Sequence, residues 1–137
     1  MSCKSLLYEV NTSSTLVSAS TGIIPLTNIV RRYGPSITQS GNSVLLNDPG
    51  YYQVNVQVAF SAPAAGVIGL TLQQDGSQVL GATGAETITT ATTEVRTISF
   101  STIVRVTCGN APSTLTLVNS GLAATYTNVA ISVIKVI

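Results

Sequence analysis

The ionisable side chains of this 137-residue chain are few, and their types limit the chemistry that the chain could do. The sequence contains no histidine, so the commonest general base is absent and neither a Ser–His–Asp nor a Cys–His site can form. Two carboxyl groups that met in space could still act on a glycosidic bond. The acids stand singly in the sequence, however, so we predict no catalytic residue and no enzymatic activity; they are Glu9, Asp48, Asp75, Glu86 and Glu94.

Metal ligands are equally sparse. Calcium needs six to eight oxygen ligands, to which Asn47 with Asp48, or Asp75, could contribute. Both acids lie in turn sequences, NDPG and QDGS, and a structural role in those turns is the favoured interpretation. Cys3 and Cys108 are far apart and fit no metal or redox motif, and a bridge between them would require their strands to be neighbours. We predict no cofactor, no metal and no stabilising disulfide.

Charge and hydropathy exclude several classes of partner. Charged residues make up 8% of the chain and the net charge is +1, whereas binding to nucleic acid or to an acidic membrane needs clustered Lys and Arg. No apolar run approaches the roughly 18 residues of a membrane helix. The N-terminal stretch MSCKSLLYEV is too short and too soon charged for a signal peptide. We predict no nucleic acid partner, no membrane insertion and no cleaved leader.

Short alternating runs rich in Thr, Val, Ser and Ile, separated by Gly, Pro, Asn and Asp, predict an all-β fold in a single domain, residues 1–137. Asp75-Gly76 is the strongest two-residue hairpin signal. The low-complexity run 81–94 is predicted to be an exposed loop, and it lacks the lysine and the following helix of a phosphate-binding loop. The predicted strands are 5–10, 14–18, pieces of 22–33, 43–46, 50–61, 67–74, 78–80, 95–106, 113–119 and 126–137.

Two strands have faces that a sheet open to water would not show. In GYYQVNVQVAF, residues 50–60, apolar side chains fall on one face, while Gln53, Asn55 and Gln57 give the other face amides without a charge. In TNVAISVIKVI, residues 127–137, both faces are apolar or small, so both should be covered. One face can pack on a second sheet of the same chain. In a domain without helices the other face is left for another copy, so we predict a sheet that faces a subunit interface.

A known signature is present in the longer of these strands. Gly50, Tyr52, Val54 and Val56 hold the places of Gly-x-Tyr-x-Phe-x-aromatic, so the chain resembles the jelly-roll superfamily of the tumour necrosis factors and the globular heads of the first complement component. It is similar to the bacterial and phage branch, which includes the tips of collagen-like spore-surface glycoproteins, in NDPGYYQVNVQVAFSA, DGSQVLGAT, STIVRV, STLTLVNSG and NVAISVIKV. The resemblance implies a two-sheet antiparallel jelly-roll sandwich of about ten strands that forms a compact homotrimer. Its inner sheet would contain both terminal strands and the Gly-x-Tyr strand.

These observations predict a non-catalytic, self-trimerising module for structural display or adhesion. The expected setting is the surface of a phage virion, as a head fibre or tail tip, or of a bacterial spore. Its partners would be its own copies, with a stalk or a capsid or coat protein as the mounting. The alternative is a soluble module that binds a surface glycan or another small ligand on exposed tyrosines.

The predicted trimer contact combines the terminal strands with the Gly-x-Tyr strand. Because the last strand is apolar on both faces, either parity could face the axis. Tyr52 and Tyr126 are expected to be buried. The predicted interface residues are Leu6, Tyr8, Tyr52, Tyr126, Ile131 and Ile134, with Val129 and Val133 as substitutes.

Overall fold

The computed structural model describes residues 4–12, 15–17 and 22–137, of which 15–17 through their backbone alone. These residues form strands and turns and no helix, and hence no helix long and apolar enough to cross a membrane. The all-β prediction is confirmed. In chain order the strands are β1 Leu6–Asn11, β2 Thr15–Val17, β3 Gly22–Ile23, β4 Asn28–Tyr33, β5 Ile37–Ser40, β6 Ser43–Leu46, β7 Gly50–Ser61, β8 Gly66–Gln74, β9 Ser77–Ile88, β10 Arg96–Val106, β11 Ser113–Asn119 and β12 Ala124–Lys135.

The strands form two antiparallel sheets. The first sheet has the order β10-β7-β12-β1-β4, with β2 also paired to β12. The second has the order β5-β6-β11-β8-β9, with β3 also paired to β11. The terminal strands β1 and β12 thus lie in the same sheet as the Gly-x-Tyr strand β7, with β12 between β1 and β7, as the resemblance implied. This arrangement is the two-sheet jelly-roll sandwich that the sequence predicts.

Alternation along β7 builds one side of the core. Its apolar side chains point inward and are buried, whereas the intervening amides are exposed. Burying a large apolar side chain contributes roughly 1.5–3 kcal/mol. Phe60 and Tyr126 contact each other with ring centroids 5.9 Å apart. The second sheet supplies the opposing side chains, chiefly Ile68, Leu70, Leu72, Leu115 and Leu117.

The parity of β12, which the sequence left open, is set by a bulge. The pairing with β7 shifts between Tyr126 and Asn128, and from Val129 onward every second side chain points into the core. The intervening side chains face outward. Because a bulge inserts an extra residue into one strand, the residues on both sides of it can present their large side chains to the same core. The inward-facing set is Tyr126, Val129, Ile131 and Val133, and the outward-facing set begins with Ala130, Ser132 and Ile134.

The prediction of an exposed loop at 81–94 is wrong for most of its length. β9 continues to Ile88, and its pairing with β8 extends to Gly66. The small residues of this run have a packing role: a side chain at Gly84 would lie 2.5 Å from the Cγ2 atom of Ile98, so small side chains let β9 approach β10. Strand β5, which the sequence did not predict, pairs with β6 across the turn at Gly41. The predicted hairpin is confirmed, with Asp75 and Gly76 joining β8 to β9.

Glu9 is an unusual member of the core. It points inward from β1, its side chain is fully buried, and neither carboxylate oxygen has a hydrogen-bond partner among the described residues. Burial without a partner disfavours the charged form, and it raises the pKa of Glu9 to about 7. The carboxyl group is therefore neutral in mildly acidic solution and must ionise inside the core as the pH rises.

We expect the free energy of unfolding to fall as the pH rises from about 4.5 to about 7, because the folded chain retains the Glu9 proton where the unfolded chain has released it. The loss is complete above pH 7 and amounts to about 3 kcal/mol for this pKa difference. In Glu9→Gln this loss should vanish, so that the variant is more stable than the parent at pH 8 and similar at pH 4. Urea denaturation at a series of pH values measures the difference.

Glu86→Gln provides the control, since Glu86 lies on the edge strand β9 rather than in the core. Its pH profile should keep the parent's decline between pH 5 and pH 7. An unchanged decline in Glu9→Gln would show that another group causes it.

Candidate interaction surface

The acidic side chains do not converge on a catalytic or metal site. One carboxylate oxygen of Asp48 accepts the hydroxyl of Ser36 at 2.6 Å. Asp75 accepts the hydroxyl of Ser113 at 2.6 Å and the backbone N–H of Thr114 at 2.9 Å. Both acids therefore hold turns together, as their sequence context favours. In the described part of the chain, no three His, Cys, Asp or Glu residues form a group that could hold a metal ion.

Glu94 closes the connection between β9 and β10. Its Oε1 atom accepts the hydroxyl and the N–H of Thr89 and the N–H of Thr90, and its Oε2 atom pairs with Arg96 at 2.6 Å. The hydrogen bond from the Thr89 hydroxyl, followed by that from Arg96, lowers the pKa of Glu94 to about 2. The carboxylate is thus a charged structural anchor, fully engaged within its own loop.

The cysteines give no redox centre that the structure can define. Cys108 is exposed and carries a free thiol after the end of β10. Cys3 lies outside the described residues. The prediction that neither thiol is needed for stability therefore stays a prediction.

The first sheet has one face on the core and one face that the described residues leave uncovered. We call the second face the outer face and define it by the side chains of β1, β4, β7, β10 and β12 that point away from the core. Directly paired residues of neighbouring strands point to the same side of a sheet. The pairing therefore arranges the outer face in rows that cross the sheet from β4 to β10.

One row is largely apolar. We call it the apolar row, and its side chains, apart from the amide of Gln53, offer carbon and ring surface to solvent. Leu6 and Ile134, at its centre, are 37% and 43% exposed, and both ends are more exposed still. No residue of this row is charged. From β4 to β10 it consists of Tyr33, Leu6, Ile134, Gln53 and Ile103.

The next row along the strands is polar, and we call it the polar row. It runs from Arg31 at the sheet edge through Tyr8, Ser132 and Asn55 to Ser101. The Asn55 amide reaches the Ser132 hydroxyl at 3.5 Å, a long and weak contact. Apart from Arg31 the row offers neutral hydroxyl and amide groups with unused hydrogen-bonding capacity.

A shallow groove follows the polar row. Its floor is formed by Val56 and Phe100, and its rim by small and amide side chains of three strands. It has no acidic group on its lining, so it does not suit a cation or a basic ligand. The remaining lining residues are Tyr8, Gln57, Ser99, Ser101, Asn55, Ala130 and Ser132.

The structure divides the eight predicted interface residues between two places. Leu6, Tyr8 and Ile134 lie on the outer face and are between 37% and 43% exposed. The other five fill the core of the single chain, so a second copy could reach them only if the sandwich opened. They are Tyr52, Tyr126, Val129, Ile131 and Val133. The second sheet of the same chain covers these five side chains, so they are not part of the outer face.

Sequence reasoning did not include the two ends of the apolar row, Tyr33 and Ile103. Ile103 lies between the inward-facing Thr102 and Val104 in an alternating strand, so its parity alone marks it as outward-facing. Tyr33 had no such signal, because Pro25 interrupts the pattern of 22–33 and β4 is exposed throughout. Both residues join the outer face through strand register, which links positions distant in the sequence.

Comparison with known proteins gives the fold a wider context. No protein-family model matches the chain, and no curated protein matches its sequence. Among solved structures, murine APRIL at pH 5.0 has a TM-score of 0.75 and 14% identity, covering 98% of this chain and 100% of that chain. The globular domain of zebrafish complement 1qA has a TM-score of 0.67 and 8% identity, covering 96% of each chain. The PRD1 vertex protein P5 has a TM-score of 0.64 and 18% identity, covering 97% of each.

These similarities cover nearly the whole chain at low identity, so the fold is what the proteins share. The resemblance found in the sequence is thereby confirmed. In its jelly-roll fold, the chain is similar to murine APRIL, to the globular domain of zebrafish complement 1qA and to the PRD1 vertex protein P5.

Proposed function

We propose that this chain is a non-catalytic display module that assembles into a homotrimer through the outer face of its first sheet. The observation that carries the proposal is the outer face itself. The water-facing side of a sheet normally carries polar and charged side chains. Here the two central strands β7 and β12 carry no charge at the centre of the outer face, where they present Gln53, Asn55, Ser132 and Ile134. Such a surface costs less to desolvate than a charged one, and it gains apolar burial on contact, which suits a permanent interface.

Self-association also explains why the apolar row is tolerated. A contiguous apolar strip on a soluble protein is an aggregation hazard unless something covers it. Closed cyclic symmetry covers it with one repeated contact. The resemblance to the tumour necrosis factor superfamily implies the threefold form. Of the eight interface residues predicted from the sequence, we propose that Leu6, Tyr8 and Ile134 line the contact.

The proposed setting is the surface of a virion, as a head fibre or tail tip, or of a bacterial spore. Two observations support it: the similarity in fold to a protein named as the PRD1 vertex protein P5, and the resemblance of the sequence to spore-surface glycoprotein tips. The partner that mounts the trimer would be a stalk or a capsid or coat protein. Flanking genes for capsid, tail or spore-coat proteins would support this setting, and flanking genes for metabolic enzymes would count against it.

A second candidate function, glycan or small-ligand binding, is favoured by the groove along the polar row. Tyr8 offers an exposed ring, and Asn55 and Ser101 offer hydrogen bonds of the kind that sugar hydroxyls use. We expect no binding on a glycan array, because the proposed trimer contact would cover this groove. Saturable binding that Tyr8→Ala abolishes while the assembly stays intact would favour the second candidate instead.

We expect Ile134→Asp to dissociate the assembly. The substitution places three unpaired carboxylates in the contact, each costing several kcal/mol after relaxation. The side chain is 43% exposed in the single chain, so the variant should fold normally. Size exclusion coupled to light scattering at micromolar concentration measures the mass, and circular dichroism checks the fold.

Val67→Asp is the matched control, because Val67 is similarly exposed but lies on β8 in the second sheet. It should keep the mass of the parent. A parent that is a folded monomer at micromolar concentration would remove the proposal, and an Ile134→Asp variant that stays trimeric would show that the outer face is not the contact.

A further inference from the structure

Glu9 is buried close to one edge of the first sheet. Its strand, β1, has only β4 beside it on that side, and β4 ends the sheet. Ile29 of β4 lies directly opposite Glu9 in the pairing and therefore shares the inner face with it. The Ile29 side chain is 43% exposed. On this side the buried carboxyl group is thus covered by an edge strand that is itself open to solvent.

The edge strand β4 is held less firmly than the strands at the centre of the sheet. All six of its residues are exposed, so the second sheet does not cover it. Its register with β1 shifts between Tyr8 and Glu9, where Val30 is left over as an extra residue. A bulge interrupts the ladder of hydrogen bonds, and elements with few buried side chains open more readily than the core. β4 therefore has little attachment to the molecule apart from β1.

Glu9 has no charged partner in the core. Arg32 shares the inner face of β4, because it pairs with the buried Leu7, but its Nε atom donates to the carbonyl oxygen of Ile37 at 3.3 Å. The segment 22–27 and the strands β5, β6, β8 and β11 contain no ionisable residue. An ionised Glu9 must therefore be stabilised by water. The ionisable side chains that β12, β7 and β9 turn to the inner faces lie farther along or across the sheets, and they are Tyr126 and Lys135 toward the ends of β12, Tyr52 beside Lys135, and Glu86 on the far strand of the second sheet.

We propose that β1 and β4 form a proton-controlled flap, which lies closed on the second sheet while Glu9 is neutral and opens when Glu9 ionises. Opening moves the two strands together away from the second sheet and lets water reach the carboxylate past Ile29. β4 follows β1, since β1 is its partner in the sheet. The pairing of β1 with β12 is retained, so the border between these two strands is the hinge.

Proton binding sets the direction of this switch. Burial without a partner raises the pKa of Glu9 to about 7 in the closed flap, whereas hydration returns the pKa toward its ordinary value of 4.5. The open form therefore binds the proton more weakly, and a rising pH favours it. With these two pKa values, the fraction of open chains rises about 70-fold between pH 5 and pH 8 while the open form remains the minor one.

The flap also carries part of the surface through which the copies are proposed to assemble. Leu6 and Tyr8 on β1, and Tyr33 on β4, belong to the apolar and polar rows of the outer face. Opening moves these side chains relative to Ile134 on β12. Assembly selects the closed form, so it should be tighter in acid than in mildly basic solution. The flap is a property of the single chain, and its effect on assembly rests on the proposed function.

Hydrogen exchange of the backbone amides tests the flap in single copies. The Ile134→Asp variant provides them, since it is expected to dissociate and to fold normally. After correction for the intrinsic exchange rate at each pH, the opening constant of the β4 amides should rise about 70-fold between pH 5 and pH 8. Adding Glu9→Gln to this variant should make the constant equal at the two pH values. Adding Glu86→Gln instead should leave the rise intact.

Urea separates opening of the flap from unfolding of the whole chain. The flap exposes little surface when it opens, so exchange of the β4 amides should depend weakly on urea, whereas exchange of the β7 amides should depend steeply on it. Equally steep dependence in both strands would overturn the flap, because Glu9 would then be hydrated only in the unfolded chain. An opening constant of β4 that ignores pH, or that rises equally with Glu9→Gln, would overturn it too.

The assembly of the parent tests the link to the proposed function. Its half-assembly concentration should be higher at pH 8 than at pH 5, and in Glu9→Gln the two values should agree. Equal assembly of the parent at both pH values, with a flap that responds to pH, would overturn the link alone. A parent that is a folded monomer would overturn the proposed function and the link together, while the exchange measurement still decides whether the flap exists.

Discussion

The pairing of β12 between β1 and β7 is the constraint on which the rest of the molecule depends. Side chains alternate along a strand, so a slip of one residue would exchange the faces of Val133 and Ile134 and of every pair like them. The bulge near Tyr126 fixes the alternation that follows it. One register thus determines which apolar side chains fill the core and which form the outer face. The core and the proposed contact are two sides of the same strand arrangement.

Glu9 and the outer face are coupled through β1. Glu9 points into the core, while its neighbours Tyr8 and Val10 belong to the opposite face of the strand. An ionised carboxylate in this position is shielded from solvent and has no hydrogen-bond partner among the described residues, so hydrating it would require β1 to move away from the second sheet. Such a movement would also displace Leu6 and Tyr8. The position of β1 therefore affects both the stability of the core and the shape of the proposed contact.

Local signals in the sequence were enough to predict β6, β7 and β11 with the bounds that the structure has, because alternation and turn residues mark both ends of each. These signals failed at β9, because its Gly, Ala and Thr residues give no apolar face. The strand forms because the backbone of β8 supplies hydrogen-bond partners for the backbone of β9. The local signals also failed to separate the inward-facing from the outward-facing residues on β12. When a strand is apolar on both faces, the sequence does not show which of its side chains point into the core. Ile131 and Ile134 were therefore indistinguishable from the sequence. Only the pairing between distant strands separates these two residues, and the same pairing aligns Leu6 with Ile103. No short stretch of sequence contains that information.

Low charge makes the direction of self-assembly important. With a net charge of +1, long-range repulsion does little to keep copies apart, so the proposed self-association depends on the geometry of contacts between unlike surfaces of neighbouring copies. Contacts of this kind give rings when the rotation closes and open fibres when it does not. Three copies close into a ring only if the proposed contact relates neighbouring copies by a pure rotation of one third of a turn. A contact that also shifted each copy along the axis would instead build an open helix, which leaves an uncovered outer face at its end.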